Sequence, residues 1–190
     1  MTAKKGMHPA IAFVLMLLML TGALLFGANK HWKGERAIVE AEATGALKAI
    51  DVRVETAHNL LTVAYRHLPK DDALITAVGG GLAVMKNSAL PLADRVAACD
   101  AFITDAQALL AVLAQQESVI ADSRDHMYAT LMLPQTVEMC EERTMLDTYD
   151  YYAAEFNEGL YGSFSGWLAR LSGVEPAERL DAETAPAIML

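Results

Sequence analysis

Hydrophobic positions in this chain form one unbroken run near the N-terminus and then a succession of helical stripes. From Ala10 to Ala28, nineteen consecutive residues carry no charge, and Thr21 supplies the only polar side chain. At about 1.5 Å per residue such a helix covers about 28 Å, close to the hydrocarbon thickness of a bilayer, so a transmembrane helix is expected over 10–28. Beyond it, Val39, Ala43, Ala46, Ile50, Val54, Ala57, Leu61, Ala64 and Leu68 recur at steps of three or four, on one face of a long helix. Glu40, Lys48, Arg53 and Glu55 fall off that stripe and are expected on its solvent side. The helix is expected to stop near Pro69, where Pro69-Lys70-Asp71-Asp72 combines a breaker with N-cap candidates for the next helix.

Residues 73–86 read as a short helix broken by Gly79-Gly80-Gly81, each glycine weakening it by roughly 1 kcal/mol relative to Ala. A phosphate loop would need a following Lys-Ser/Thr or a GxGxxG pattern, so the triplet is expected to form a bend or a close helix contact. After a turn at Asn87 to Pro91, the stripe resumes from Leu92 as Val96, Cys99, Ile103, Ala106, Leu110, Leu113 and Ile120, a second long helix. Asp122 to His126 makes a polar break. Met127 to about Tyr161 then reads as a helix interrupted or kinked at Pro134, with Met139, Leu146, Tyr149, Ala153, Phe156 and Leu160 inward. Glu142 falls on the same stripe and would need a partner if buried. Phe164 to Leu171 is expected to be a short helix capping the bundle. An interfacial membrane helix is the alternative, disfavoured because Arg170 is its only basic residue.

The expected class is therefore all-α: a tail (1–9), a transmembrane helix (10–28), an antiparallel bundle of three to four long helices (31–174) and a polar, fraying tail (175–190). A composition of 54% hydrophobic but only 7% aromatic residues agrees with helices. Lys4 and Lys5 also suit the start of a cleaved signal peptide. The apolar run is long for that, however, and bulky Phe26 stands where a cleavage site wants a small residue. Lys30, Lys33 and Arg36 follow the span and nearly balance the charge before it. The absence of an acid ahead of the span tips the expectation toward a cytoplasmic N-terminus and an extracytoplasmic domain in the cell (inner) membrane. Trp32 suits either an interfacial anchor or a packed aromatic.

Charge narrows the partners. Of the formal −9, residues 1–29 carry +2 from Lys4 and Lys5, residues 30–68 carry +1 from six bases against five acids, and the remainder carries −12. Such a domain repels polyanions, which excludes nucleic acid and disfavours lying flat on anionic lipid. A protein or cationic partner fits, an oligomer is compatible with the helices, and residues 10–28 engage the membrane.

Candidate chemistry is sparse. Cys99 and Cys140 form no CxxC and read as small buried apolar residues. His126 with Asp122 and Asp125, and Glu138 with Glu141 and Glu142, lack the His-Glu-x-x-His or Glu-x-x-His spacing by which helices present metal ligands, and read as solvated charge. His58 and His67 lie too far apart for one helical turn to make them an acid–base pair. Tyr149, Tyr151, Tyr152 and Phe156 form either a partner-binding strip or, by preference, interhelix packing. No residue is assigned a catalytic, cofactor-binding or metal-binding role, and no enzyme activity is expected.

An N-terminal anchor followed by Ile50-Asp51-Val52-Arg53-Val54 and Asn59-Leu60-Leu61 resembles the LemA family. Tyr149-Asp150 and Phe156-Asn157 stand seven residues apart, as that family's two Tyr-Asn pairs do. Phe164-Ser165 is similar to its Phe-Pro step, and Leu168 to Val174 to its C-terminal ending. Thr56-Ala57 replaces its paired arginines and Thr62-Val63-Ala64 its Pro-Asn-Leu, so the chain resembles a divergent member. The resemblance implies a membrane-anchored antiparallel bundle without a known reaction. The expected function is a membrane-anchored helical scaffold or adaptor. The alternative is a membrane-tethered sensory or ligand-binding bundle, which, with the short tail expected ahead of the span, would need a partner to supply a signalling domain across the membrane.

Overall fold

The computed structural model describes residues 9–180; the expected tail residues 1–8 and 181–190 lie outside the described residues. Every regular element among the described residues is helical. α1 (Pro9–His67) carries the apolar run and the first stripe on one continuous helix. It is followed by α2 (Ala73–Lys86), α3 (Leu92–Leu113), α4 (Glu117–Ala121), α5 (Ser123–Met127), a π turn (Tyr128–Met132), α6 (Leu133–Met139), α7 (Thr144–Gly162) and α8 (Phe164–Leu171).

The residues pack as two units. In the unit of 41–153 with 178–180, Ala46, Ile50, Ala57, Leu60 and Ala64 of α1 are buried, as are Ile75, Val78 and Met85 of α2 and Val96, Cys99, Phe102, Leu109 and Leu113 of α3. Leu133, Val137 and Leu146 complete the interior. α3 is long and apolar enough to cross a membrane, but it carries Asp94, Asp100 and Asp105 and buries its apolar face, as a core helix does. In the unit of 9–40 with 154–177, Trp32, Val39, Phe156, Leu160, Leu168, Ala169 and Val174 are buried.

Local signals explain most boundaries. Asp72 caps α2, its carboxylate accepting from the Leu74 and Ile75 N–H groups at 2.8 and 3.4 Å. The expected break at Gly79-Gly80-Gly81 does not occur: α2 runs through it, because burial of Ile75, Val78 and Met85 outweighs the glycine penalty. A Cβ at Gly81 would meet the Ala98 carbonyl of α3 at 3.9 Å, an ordinary contact, and Gly79 and Gly80 face open space, so the expected close helix contact does not account for the triplet either. The second long helix ends at Leu113, and Ile120 belongs to α4. At Pro134 the expected interruption takes the form of a change of helix type, the π turn giving way to α6 at Leu133. Proline has no N–H and would crowd the carbonyl four residues back, and the strain is absorbed by the π turn, whose Leu133 N–H reaches the Tyr128 carbonyl. A second break, not expected, lies at 140–143 between α6 and α7. It resets the phase of the stripe, so Met139, expected inward, is 69% exposed, and Glu142 is exposed and accepts from the Thr144 N–H and hydroxyl.

α8 begins at Ser163, whose hydroxyl accepts from the Gly166 N–H at 2.9 Å. A Cβ at Gly166 would lie 2.7 Å from the Leu160 carbonyl carbon, so only glycine fits the close pass of α8 over the end of α7. α8 ends in a Schellman turn: Val174 N–H bonds the Ala169 carbonyl, Gly173 N–H bonds the Arg170 carbonyl, and Gly173 holds φ +89°. This turn leads into residues 175–180, which the composition places in a fraying tail but which are tied down. In the first unit, Arg36 donates to the Glu175 carbonyl, and Asn157 pairs with both the N–H and the carbonyl of Ala177 at 2.8 Å. In the second, Tyr149 donates to the Glu178 carbonyl, Glu178 accepts from the Ala93 N–H at the start of α3, and Arg179 forks onto Asp150 at 2.8 and 2.7 Å.

Candidate functional site

The most unusual surface is the start of α1. Its most apolar 18-residue window has a mean hydropathy of 2.5 and is uncovered throughout, with Phe13, Leu18, Met19 and Phe26 among the exposed side chains. An exposed apolar patch of this kind requires a nonaqueous neighbour or a partner. Burial sets in where the run ends: among the described residues Ala28 is the first to be buried and Trp32 the next. Trp32 is a packed aromatic and not an exposed anchor. It meets Phe156 edge to face at 5.7 Å, its Nε1 donates to Ser165 Oγ at 3.3 Å, and a Cβ on Gly159 would fall 2.7 Å from its ring.

Three polar clusters were candidates for chemistry. The first joins the end of α1 to α4 and α5. His67 bonds Ser118 Oγ through Nδ1 at 3.1 Å and the buried Asp125 carboxylate through Nε2 at 2.9 Å, an order of residues that also serves proton relays. Arg66 donates to both Asp125 oxygens at 3.0 and 3.1 Å. The His67 hydrogen bond, aided by Arg66, holds the Asp125 carboxyl below its ordinary value. A carboxylate already neutralised by arginine lends little charge to a developing imidazolium, so the cluster is suited to fastening helices together. His58 stands apart, on a groove with Asp51, Val54, Glu55, Leu82 and Lys86.

The second cluster is the expected His126, Asp122 and Asp125 set, which does not converge. Asp122 caps α5 through the Arg124 and Asp125 N–H groups, Asp125 turns to α1, and the buried Nδ1 of His126 makes no hydrogen bond among the described residues. Glu138, Glu141 and Glu142 also diverge, since Glu141 accepts from Gln107 at 2.8 Å and Glu142 caps α7. No group of three potential metal ligands occurs among the described residues. The aromatic row is likewise divided: Tyr149 and Phe156 are buried, whereas Tyr151 and Tyr152 face outward in an edge-to-face pair at 5.5 Å.

The third cluster was not expected. Arg53, placed by periodicity on the solvent side, is 2% exposed. It donates to the Ala49 carbonyl at 2.8 Å and to the Glu142 carbonyl at 2.9 Å, while its Nε makes no hydrogen bond among the described residues. Next to it Cys140 Sγ donates to Thr56 Oγ1 at 3.6 Å. Burial pushes the Cys99 thiol up to about 12, with Arg53 and Arg95 opposing the rise. Both cysteines are wholly buried. A maleimide is therefore expected to label neither in the folded protein at neutral pH and both in urea, and rapid labelling of Cys99 in the folded chain would contradict the packing described.

Comparison with protein-family models, with curated proteins and with solved structures finds no match to this chain.

Proposed function

We propose that the chain is a single-pass protein of the cell (inner) membrane. In this reading residues 10–28 span the bilayer and hold an acidic helical domain on the extracytoplasmic side, where it binds another protein as a scaffold or adaptor. The observation that carries it is the uncovered apolar window of α1, which stops where packing begins at Ala28. The anchor raises the local concentration of the domain for partners at the same membrane, which requires no catalytic group. The exposed acids Asp94, Glu117, Glu138 and Glu141 supply negative charge for a cationic protein patch, whereas Asp100 and Asp147 are already paired with Arg143. The motif resemblance to the LemA family supports the architecture and adds no reaction.

The scaffold is preferred to a ligand-binding bundle because the grooves seen among the described residues are open and carry charged residues at their rims. One of about 420 Å³ is formed by Lys33, Arg36, Glu40, Gly173, Val174 and Glu175, and one of about 370 Å³ by Gln107, Leu110, Pro134, Val137, Glu138 and Glu141. A small-molecule site is ordinarily more apolar and enclosed.

The test combines alkaline-carbonate extraction, protease digestion of intact cells and spheroplasts, and the intact mass of the cellular protein. The wild type is expected to stay with the membrane at full mass and to be digested from outside. The Leu17→Arg/Leu18→Arg double variant is expected to be lost from the membrane, since each central arginine costs about 2.5–3.5 kcal/mol on insertion. A mass lacking the apolar run would establish a cleaved signal sequence instead, and protection of the domain until lysis would reverse the orientation.

A further inference from the structure

We infer that α8 is a second membrane-contacting element, whose Phe164, Trp167 and Leu171 lie in the headgroup layer of the bilayer that α1 crosses. The inference rests on the proposed span at 10–28. α8 packs through Gly166, Leu168 and Ala169, which are buried, and turns the opposite face outward. On that face Phe164 is 70% exposed, Trp167 47% and Leu171 64%, at helical spacings of three and four, with the Phe164 and Trp167 rings stacked at 5.8 Å.

Two contacts set the height of this face against α1. Asn29 Nδ2 donates to the Ser172 carbonyl and hydroxyl at 3.1 and 2.8 Å, and Trp32 Nε1 donates to Ser165. Asn29 follows the last residue of the apolar run directly, and Trp32 stands one turn further on. At about 1.5 Å per residue, α8 is thus fastened within about 6 Å of the hydrocarbon edge, inside the headgroup layer of a bilayer. The uncovered surface of α1 and the uncovered face of α8 therefore meet the same neighbour, and lipid is the occupant that explains both.

Charge agrees with this placement. Lys30 and Lys33 follow the span, and Arg170, held over the Tyr161 ring at 4.4 Å, adds a cation on α8 itself, all suited to lipid phosphates. Aromatic side chains with an apolar body are favoured at this depth. The single basic residue on α8, which argues against an autonomous amphipathic helix, is no obstacle when α1 already holds it at the surface.

The chain has two tryptophans, Trp32 and Trp167, so fluorescence reads the proposal directly. Full-length wild type, Trp32→Phe and Trp167→Phe are reconstituted into phosphatidylcholine vesicles, with or without phosphatidylcholine brominated near the headgroup end of its chains. Carbonate resistance of each sample is scored in parallel. Trp167, read alone in Trp32→Phe and by difference between wild type and Trp167→Phe, is expected to lose more than half its emission to brominated lipid and to be shielded from aqueous iodide. Since Trp167 is exposed, its substitution leaves the fold intact even where Trp32→Phe weakens it. Carbonate-resistant protein whose Trp167 is quenched by iodide and not by brominated lipid would overturn the α8 proposal while leaving the span. Shielding from both quenchers would overturn it in favour of a protein partner or second copy. Extraction by carbonate would overturn the span reading and the α8 proposal with it.

Discussion

Replacing Arg53 by Ala is expected to cost the folded state about 3 kcal/mol, whereas replacement by Met costs about 1 kcal/mol. Alanine leaves a cavity the size of a long side chain beneath the 140–143 turn and strips the Glu142 carbonyl of the donor that meets it at 2.9 Å. Methionine loses that hydrogen bond but fills most of the space, and it removes a buried guanidinium for which no carboxylate partner is found among the described residues. Its Nε, buried without a hydrogen bond, already leaves part of the desolvation cost uncompensated. Urea unfolding of the full chain in mild detergent, followed by circular dichroism, measures both variants. Equal losses for Ala and Met would mean that the charge itself, and not the volume, holds the turn.

Asp125→Asn is expected to destabilise by about 2 kcal/mol near neutrality, through the loss of charge-assisted hydrogen bonds. Its effect should depend on pH. The His67 hydrogen bond and the Arg66 fork hold the Asp125 carboxyl below its ordinary value of 3.8 in the folded chain. A depressed carboxylate contributes stability that is fully present above the unfolded-state value and is lost as pH falls through the folded-state value. The gap between wild type and Asp125→Asn should therefore be full above the unfolded-state value, narrow as pH falls below 3.8, and close only once pH has passed the still lower folded-state value, where the wild-type carboxyl is protonated too. Urea midpoints taken across that range give the test; a gap that persists at the acid end would show that the amide fails for geometric reasons, independent of charge.

Much of the helical layout was legible along the chain. The stop before Pro69, the Asp72 cap, the turn after Lys86 and the extent of α8 follow from capping and breaker residues that act within a few positions of themselves. Where the local rule misled, packing had won. The three glycines of α2 stay helical because that helix buries one side, whereas at Pro134 the expected interruption is met by a π turn. Residues 175–180 are polar and look loose, yet side chains of Tyr149, Asp150 and Asn157, none of them near in sequence, hold their backbone.

Composition and periodicity are properties of neighbouring residues, and they were sufficient for the all-α class, the apolar run of α1 and the first buried stripe. Burial of Arg53 depends on a carbonyl 89 residues away, presented by a turn whose phase no local pattern reveals. The fastening of His67 to Asp125 spans 58 residues, and that of Asn29 to Ser172 spans 143. Such contacts bring together groups whose individual sequence signals are those of ordinary solvated helix residues. Only the folded chain decides which polar side chains lose water and which apolar face of α8 the protein itself leaves uncovered, because burial is set by what the rest of the molecule places opposite.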